Sequence, residues 1–238
     1  MKIENGLNRN IIHVMVSSNY QKPFQDLMES LYKYSKFELH LVELGNVPFY
    51  DSLSGPKKKI TYNDRDWDGK RAQIRVESYL RFDYKKGDRV LSMDADMVVK
   101  EDPFRVFDLF DGDVLLSTRD HFDKMPVIAC FWGFVYNDRT YNFLNYIKKQ
   151  VKEKLSWKVL RDFRKRRQHT GTDWWIDQDV LCSVYQDGYK DLKIRDIGWH
   201  WSYDINHKLN RKSREGKIKR DSAKALHYKN SKKWRNLR

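Results

Sequence analysis

The chain has 238 residues, a formal net charge of +14, 40% hydrophobic residues and 14% aromatic residues. This length suits one α/β domain, and the apolar content supports a real core, which excludes a disordered chain. We expect neither a signal peptide nor a membrane span, and the two cysteines, Cys130 and Cys182, lie in apolar contexts that predict buried thiols in a reducing, cytoplasmic compartment.

The first half of the chain alternates strand-like and helix-like segments. Short apolar runs predict strands, and apolar residues spaced by three and four predict helices between them. This alternation is typical of a mainly parallel central sheet flanked by helices, an α/β architecture. The predicted elements are a strand at 11–16, a helix at 23–31, a strand at 37–42, a turn-rich segment at 45–68, a helix at 72–80, and strands at 89–93, 113–117 and 131–136.

Two carboxylates directly follow one of these apolar strands. Asp94 and Asp96 are separated by one residue, so in an extended segment their side chains point the same way. Because ligands bind beyond the carboxyl ends of parallel strands, we expect this pair at the functional edge, together with residues 17–20. Paired carboxylates suit Mg²⁺ or Mn²⁺ that also binds a substrate diphosphate. The same spacing at 64–66 and 111–113 falls in turn-like contexts, which predict solvation or capping.

Acidic residues also open a helix that is predicted after Thr172. Asp177 and Asp179 lie near its start, too close in sequence to share one face. Either carboxylate can deprotonate a hydroxyl group as a general base. The alternative is that both cap the helix and face solvent.

Basic residues precede the carboxylate pair on the helix predicted at 72–80. Lys70, Arg71 and Arg75 are the candidates, and Arg71 and Arg75 share a face at a spacing of four. They can neutralise a phosphate or pair with a site carboxylate. A solvated helical face has the same pattern.

Three motifs follow one another along the chain. The first is the strand that leads into Asp94-Ala95-Asp96. The second is the run at 177–181, Asp-Gln-Asp-Val-Leu, and the third is His227 with Lys233 six residues later. Together and in this order they resemble the motifs of GT-A fold glycosyltransferases, and among these the family 8 retaining enzymes. The third motif departs from the family pattern, because Asn230 replaces its glycine and no proline follows the lysine.

The resemblance implies a GT-A, Rossmann-like catalytic domain over residues 1–207 and a basic segment, 208–238, that completes the donor site. It implies a retaining glycosyltransferase with a nucleotide-sugar donor, expected to be a UDP-sugar, and a Mn²⁺ or Mg²⁺ cofactor. The residues that it assigns are Asp94, Asp96 and His227 for the metal, Gln178 for catalysis, and Ser17, Ser18, Asn19, Tyr20 and Lys233 for the donor. Asp177 and Asp179 are the further catalytic candidates.

The positive charge is concentrated in two segments. Residues 152–167 hold eight Lys or Arg against two acidic residues, and residues 208–238 hold thirteen against two. Such blocks favour an anionic acceptor or surface, either DNA or a membrane-associated glycan or lipid, although a solvated basic face fits as well. No obligate protein partner is evident. The competing interpretations are a metal-dependent nuclease or phosphohydrolase and a non-catalytic nucleic-acid-binding module.

Overall fold

A computed structural model describes residues 8–34, 36–45, 47, 51–63, 70–119, 125–155, 176–204 and 219–228. Lys233, the acid pair at 64–66 and most of both basic segments lie outside the described residues. Within the described part of the chain, no helix has the length and apolar character needed to cross a bilayer.

Strands and helices alternate along the chain as the sequence predicts. The strands are β1 (Asn10–Ser17), β2 (Glu38–Leu44), β3 (Lys57–Tyr62), β4 (Arg89–Asp94), β5 (Met97–Val99), β6 (Val114–Thr118), β7 (Val127–Val135), β8 (Ile194–Asp196), β9 (Tyr203–Asp204) and β10 (Ala225–His227). The helices are α1 (Gln21–Leu31), α2 (Arg71–Tyr79), α3 (Val106–Leu109), α4 (Asp138–Lys154) and α5 (Ile176–Asp187).

The strands form two sheets. The larger has the order β3-β2-β1-β4-β7-β6-β8, and the smaller has the order β5-β10-β9. In the larger sheet β7 runs antiparallel to both of its neighbours, whereas the other pairings are parallel. The expected mainly parallel α/β sheet is therefore confirmed.

Alternating side chains of the central strands form two cores. Along β1, Ile11 and Met15 face one side, where they join apolar residues of α2, α4 and α5. Ile12 and Val14 face the other side, where they join residues of α1, β5 and β10. Both faces of the sheet are thus covered, and the carboxyl ends of β1 and β4 remain at one edge.

Several elements depart from the sequence prediction, which did not include the short elements β5, β8, β9, β10 and α3. β3 lies inside the segment that was expected to consist of turns. The sequence did not indicate this edge strand, because its lysines at 57–59 give no alternation of apolar and polar residues. β7 begins at Val127, earlier than the expected 131. α4 was not predicted, although Asn137 and Thr140 form a capping box at its start.

Candidate active site

The predicted metal ligands come together at the carboxyl end of β4. Asp94 is the last residue of that strand, and Asp96 lies in the turn that leads into β5. β10 pairs antiparallel with β5 and places His227 opposite Met97. The backbone N–H of Tyr228 donates to the carbonyl of Asp96 at 2.8 Å, which fixes the turn against β10.

Three ligand atoms face a common point. His227 Nε2 lies 3.5 Å from Asp94 Oδ2 and 3.2 Å from Asp96 Oδ1, and one ligand atom from each of the three residues lies within 4.8 Å of the others. His227 and Asp96 are buried, whereas the Asp94 side chain keeps 24% of its surface exposed. Two carboxylates and one imidazole fit a divalent cation, and the exposed side leaves room for substrate oxygens.

The electrostatics of His227 agree with a cation site. Burial acts to lower its pKa, but Cys130 and Asp96 outweigh burial and raise the pKa well above its usual value. Without a cation, a proton on the imidazole therefore balances the carboxylates. A metal ion held by these three residues would take over that balance and displace the proton.

Arg75 connects Asp94, a candidate metal ligand, to α5. Its guanidinium donates to Asp94 Oδ1 at 2.9 Å and to Asp177 Oδ2 at 3.3 Å. Arg75 and Asp177 are both buried, and these carboxylates outweigh desolvation and raise the pKa of Arg75 above its usual range. The arginine stays charged, and it orients Asp94 so that the other carboxylate oxygen faces His227.

Gln178 lies in the first turn of α5 and is buried. Its Oε1 accepts a hydrogen bond from the backbone N–H of Ala129 on β7, at 3.4 Å. Its Nε2 has no hydrogen-bond partner among the described residues. A buried amide group without a partner is unusual in a folded protein, which makes Gln178 a candidate contact for a ligand.

Asp179 is placed differently from Asp177. Its carboxylate accepts from Lys154 Nζ, on the last turn of α4, at 2.7 Å. Asp177 instead faces Arg75 and also accepts from the backbone N–H of Gln178 at 2.9 Å. The two acids of this motif thus have separate partners: Asp179 contacts Lys154 on α4, and Asp177 contacts Arg75 on α2.

The predicted donor residues lie around the same edge. Ser17 ends β1, and Ser18, Asn19 and Tyr20 form a 3-10 turn in which Tyr20 is half-buried. Burial and the carboxylates of Asp96 and Asp94 raise the pKa of Tyr20 to about 12.

Two of the three predicted cations are more exposed than Arg75. Arg71 is the first residue of α2 and lies close enough to Tyr20 to act on its pKa in the opposite direction. Lys70 is exposed directly before the helix.

Sequence reasoning missed two contributors to the site. β7 runs antiparallel to β4, so its N-terminal half brings Ala129 and Cys130 to the carboxyl edge. Lys154 arrives from α4, which the sequence reasoning did not include. A helical apolar spacing at Phe143, Ile147 and Val151 could have revealed α4, but no local pattern reveals the direction of β7.

The sheet order, the flanking helices and the acid pair at the end of β4 define a GT-A fold, and comparison with solved structures confirms this fold. The glycosyltransferase GlyE of Streptococcus pneumoniae TIGR4 is similar with a TM-score of 0.61 and 14% identity over 97% of this chain, which spans 57% of the GlyE chain. No protein-family model matches the chain. No curated protein sequence matches it either.

Two further solved structures are similar over most of their own length. The galactosyltransferase LgtC, solved with donor and acceptor sugar analogs, gives a TM-score of 0.58 at 15% identity, with 93% of this chain and 87% of LgtC covered. Mouse xyloside xylosyltransferase 1 gives 0.53 at 11% identity, with 93% and 97% covered. At these identities the likeness shows the fold alone.

Proposed function

We propose that this protein is a metal-dependent retaining glycosyltransferase that moves a sugar from a UDP-sugar to an acceptor hydroxyl. The observation that carries the proposal is the convergence of Asp94, Asp96 and His227 at the carboxyl edge of a GT-A sheet. These three side chains would hold a Mn²⁺ or Mg²⁺ ion, which neutralises a diphosphate leaving group when bound. The imidazole favours Mn²⁺, because Mg²⁺ prefers oxygen ligands.

Residues at the ends of β1 and α2 suit the rest of the donor. With a pKa of about 12, Tyr20 stays neutral at physiological pH and offers its ring to a nucleotide base. Arg71, the first residue of α2, lies near Tyr20, and Lys70 directly precedes it, so both can supply positive charge for the phosphates. In this proposal the 3-10 turn binds the base and α2 binds the diphosphate.

The contacts of the acidic motif support retention rather than inversion. An inverting enzyme needs a carboxylate free to deprotonate the acceptor. Asp177 is held by Arg75, and Asp179 is held by Lys154, so both acids face a cation. Gln178 lies between them, and the oxygen of a neutral amide can stabilise an oxocarbenium-like state. Its amide nitrogen, which has no partner among the described residues, can donate to a hydroxyl of the sugar.

The acceptor in this proposal is anionic or is attached to an anionic surface. The charge of residues 152–167 and 208–238 exceeds what one diphosphate can neutralise. If the surface is DNA, affinity falls with salt at a log-log slope of about −0.9 per neutralised phosphate. If it is a membrane, anionic vesicles bind, with about 1 kcal/mol per nearby cation. Reversal of the four basic residues at 164–167 to Glu should weaken acceptor use and spare donor hydrolysis.

Calorimetric titration of UDP into the protein tests the donor site without a known acceptor. We expect UDP to bind in the presence of Mn²⁺ and to lose at least tenfold in affinity when EDTA removes the metal. Asp96→Asn should show the same loss. The control is Asp111→Asn, which removes the same charge from an exposed carboxylate paired with Lys193. Equal UDP affinity with and without Mn²⁺ would reject the metal-dependent donor site.

A further inference from the structure

A chain of buried polar contacts joins the middle of β1 to the active site. His13 lies on β1 and is buried, and its Nε2 lies 2.8 Å from the Oγ of Ser78 on α2. Ser78 Oγ in turn donates to the backbone carbonyl of Arg75 at 2.6 Å. Arg75 is the residue that holds Asp94 and Asp177. The proposed reaction does not itself explain a buried histidine at this position.

The hydroxyl of Ser78 determines which nitrogen of His13 carries the proton. A serine hydroxyl has one proton to donate, and Ser78 gives it to the carbonyl of Arg75. His13 must therefore donate its Nε2–H to Ser78, so a neutral imidazole at this position carries its proton on Nε2 and leaves Nδ1 bare. That Nδ1 has no hydrogen-bond partner among the described residues. Burial, together with His40 and Arg75, lowers the pKa of His13 well below its usual value, which keeps the ring neutral.

A second contact fixes the same helix on the neighbouring strand. The hydroxyl of Tyr79 lies 2.6 Å from Ser92 Oγ on β4, and both side chains are buried. Ser78 and Tyr79 are consecutive on α2, so their side chains point about 100° apart around the helix axis. Contacts to β1 and β4 together fix both the rotation of α2 and its position along the sheet.

We propose that His13 is a positioning residue: through Ser78 it seats α2 so that Arg75 reaches both Asp94 and Asp177. The two Arg75 contacts are 2.9 and 3.3 Å long, so a shift of α2 by about 1 Å breaks at least one of them. Misplacement of this size can lower turnover roughly a hundredfold. The effect on turnover rests on the proposed function, whereas the position of Arg75 does not.

His40 provides a matched control. It lies beside His13 in register on β2, is equally buried, and its Nε2 bonds Glu38 at 2.7 Å instead of α2. His13→Leu and His40→Leu therefore remove the same group from neighbouring core positions. His13→Gln keeps an N–H near the position of Nε2, and Ser78→Ala removes the acceptor without changing the histidine.

The readout is the ¹H–¹⁵N spectrum of the Arg75 guanidinium in the full chain, identified by the signals that Arg75→Lys removes. We expect His13→Leu and Ser78→Ala to shift or broaden these signals, His13→Gln to restore them, and His40→Leu to leave them unchanged. With a UDP-sugar and Mn²⁺, His13→Leu should lower UDP release roughly a hundredfold more than His40→Leu does.

Unchanged Arg75 signals in both His13→Leu and Ser78→Ala would overturn the positioning role. Signals that move as much in His40→Leu would overturn it too, because a general loss of core packing would then explain the change. If no UDP-sugar is turned over by the wild type, the proposed function fails, but the spectra still decide the role of His13. If His13→Leu does not fold, Ser78→Ala decides it.

Discussion

Replacement of Arg75 by Met is expected to destabilise the metal-free protein by about 3 kcal/mol. The change removes the guanidinium that contacts both Asp177, whose side chain is 5% exposed, and Asp94, whose 24% exposure lets it recover some hydration. Breaking a buried ion pair on one side typically costs about 3 to 5 kcal/mol, and the partial exposure of Asp94 places the cost at the lower end. The folding equilibrium constant should fall by roughly two orders of magnitude.

Urea denaturation at pH 7 in metal-free buffer measures this loss. Arg105→Met is the matched control, because Arg105 is 59% exposed and lies 3.9 Å from Glu101, so its removal should cost under about 0.5 kcal/mol. Adding Asp177→Asn to Arg75→Met should recover part of the loss, because it removes a buried negative charge that Arg75 no longer balances. A loss below about 1 kcal/mol for Arg75→Met, or no recovery in the double variant, would refute the ion-pair reasoning.

The other predictions concern the ligands, the motif amide and the buried histidine. Asp96→Asn should abolish UDP release and leave the circular dichroism spectrum unchanged; full activity would remove this residue from the metal site. His227→Gln should reduce the preference for Mn²⁺ over Mg²⁺ in a metal titration, because an oxygen ligand replaces the imidazole. Gln178→Leu should lower turnover at least tenfold with an unchanged affinity for UDP and Mn²⁺; a parallel loss of affinity would indicate a binding role. Because the pKa of His13 is lower in the folded protein than its usual value of 6.5, protonation of this ring favours the unfolded chain. The free energy of unfolding therefore falls as the pH drops below 6.5. His13→Gln should therefore make the decline in unfolding free energy between pH 6.5 and 5 shallower, and an equal slope would contradict the neutral buried ring.

The parts of the fold that sequence predicted are those with a strong local pattern. β1 and β4 are apolar runs buried on both faces, and α1 and α2 carry apolar stripes. β10 has only three residues, which is too short for a recognisable sequence pattern, and it is held in place by its pairing with β5 and β9. Its position follows only from a tertiary contact.

The candidate site divides in the same way. Asp94 and Asp96 follow a strand and could be placed at the functional edge from periodicity alone. His227 could be predicted as a ligand only from the family resemblance, because nothing near it in sequence indicates that β10 pairs with β5. The bridge that Arg75 forms between Asp94 and Asp177 spans three distant segments of the chain, and charge patterning suggested only that this arginine had a partner.

Asp179 shows the limit of a motif. Its carboxylate in the acidic motif made it a catalytic candidate beside Asp177 and Gln178, and this role stays a prediction. In the structure its carboxylate contacts Lys154, on a helix that the sequence reasoning did not include. Adjacent residues on a helix point in different directions, so membership in one motif does not place them in one cleft.

UDP release from a panel of UDP-sugars tests the central claim most directly. The wild type with Mn²⁺ should release UDP from at least one donor, slowly with water as acceptor. EDTA and Asp96→Asn should each abolish the release, and Asp111→Asn should keep it. Cleavage of DNA or of a phosphate monoester by the wild type, without UDP release from any donor, would contradict the account and favour a metal-dependent nuclease or phosphohydrolase.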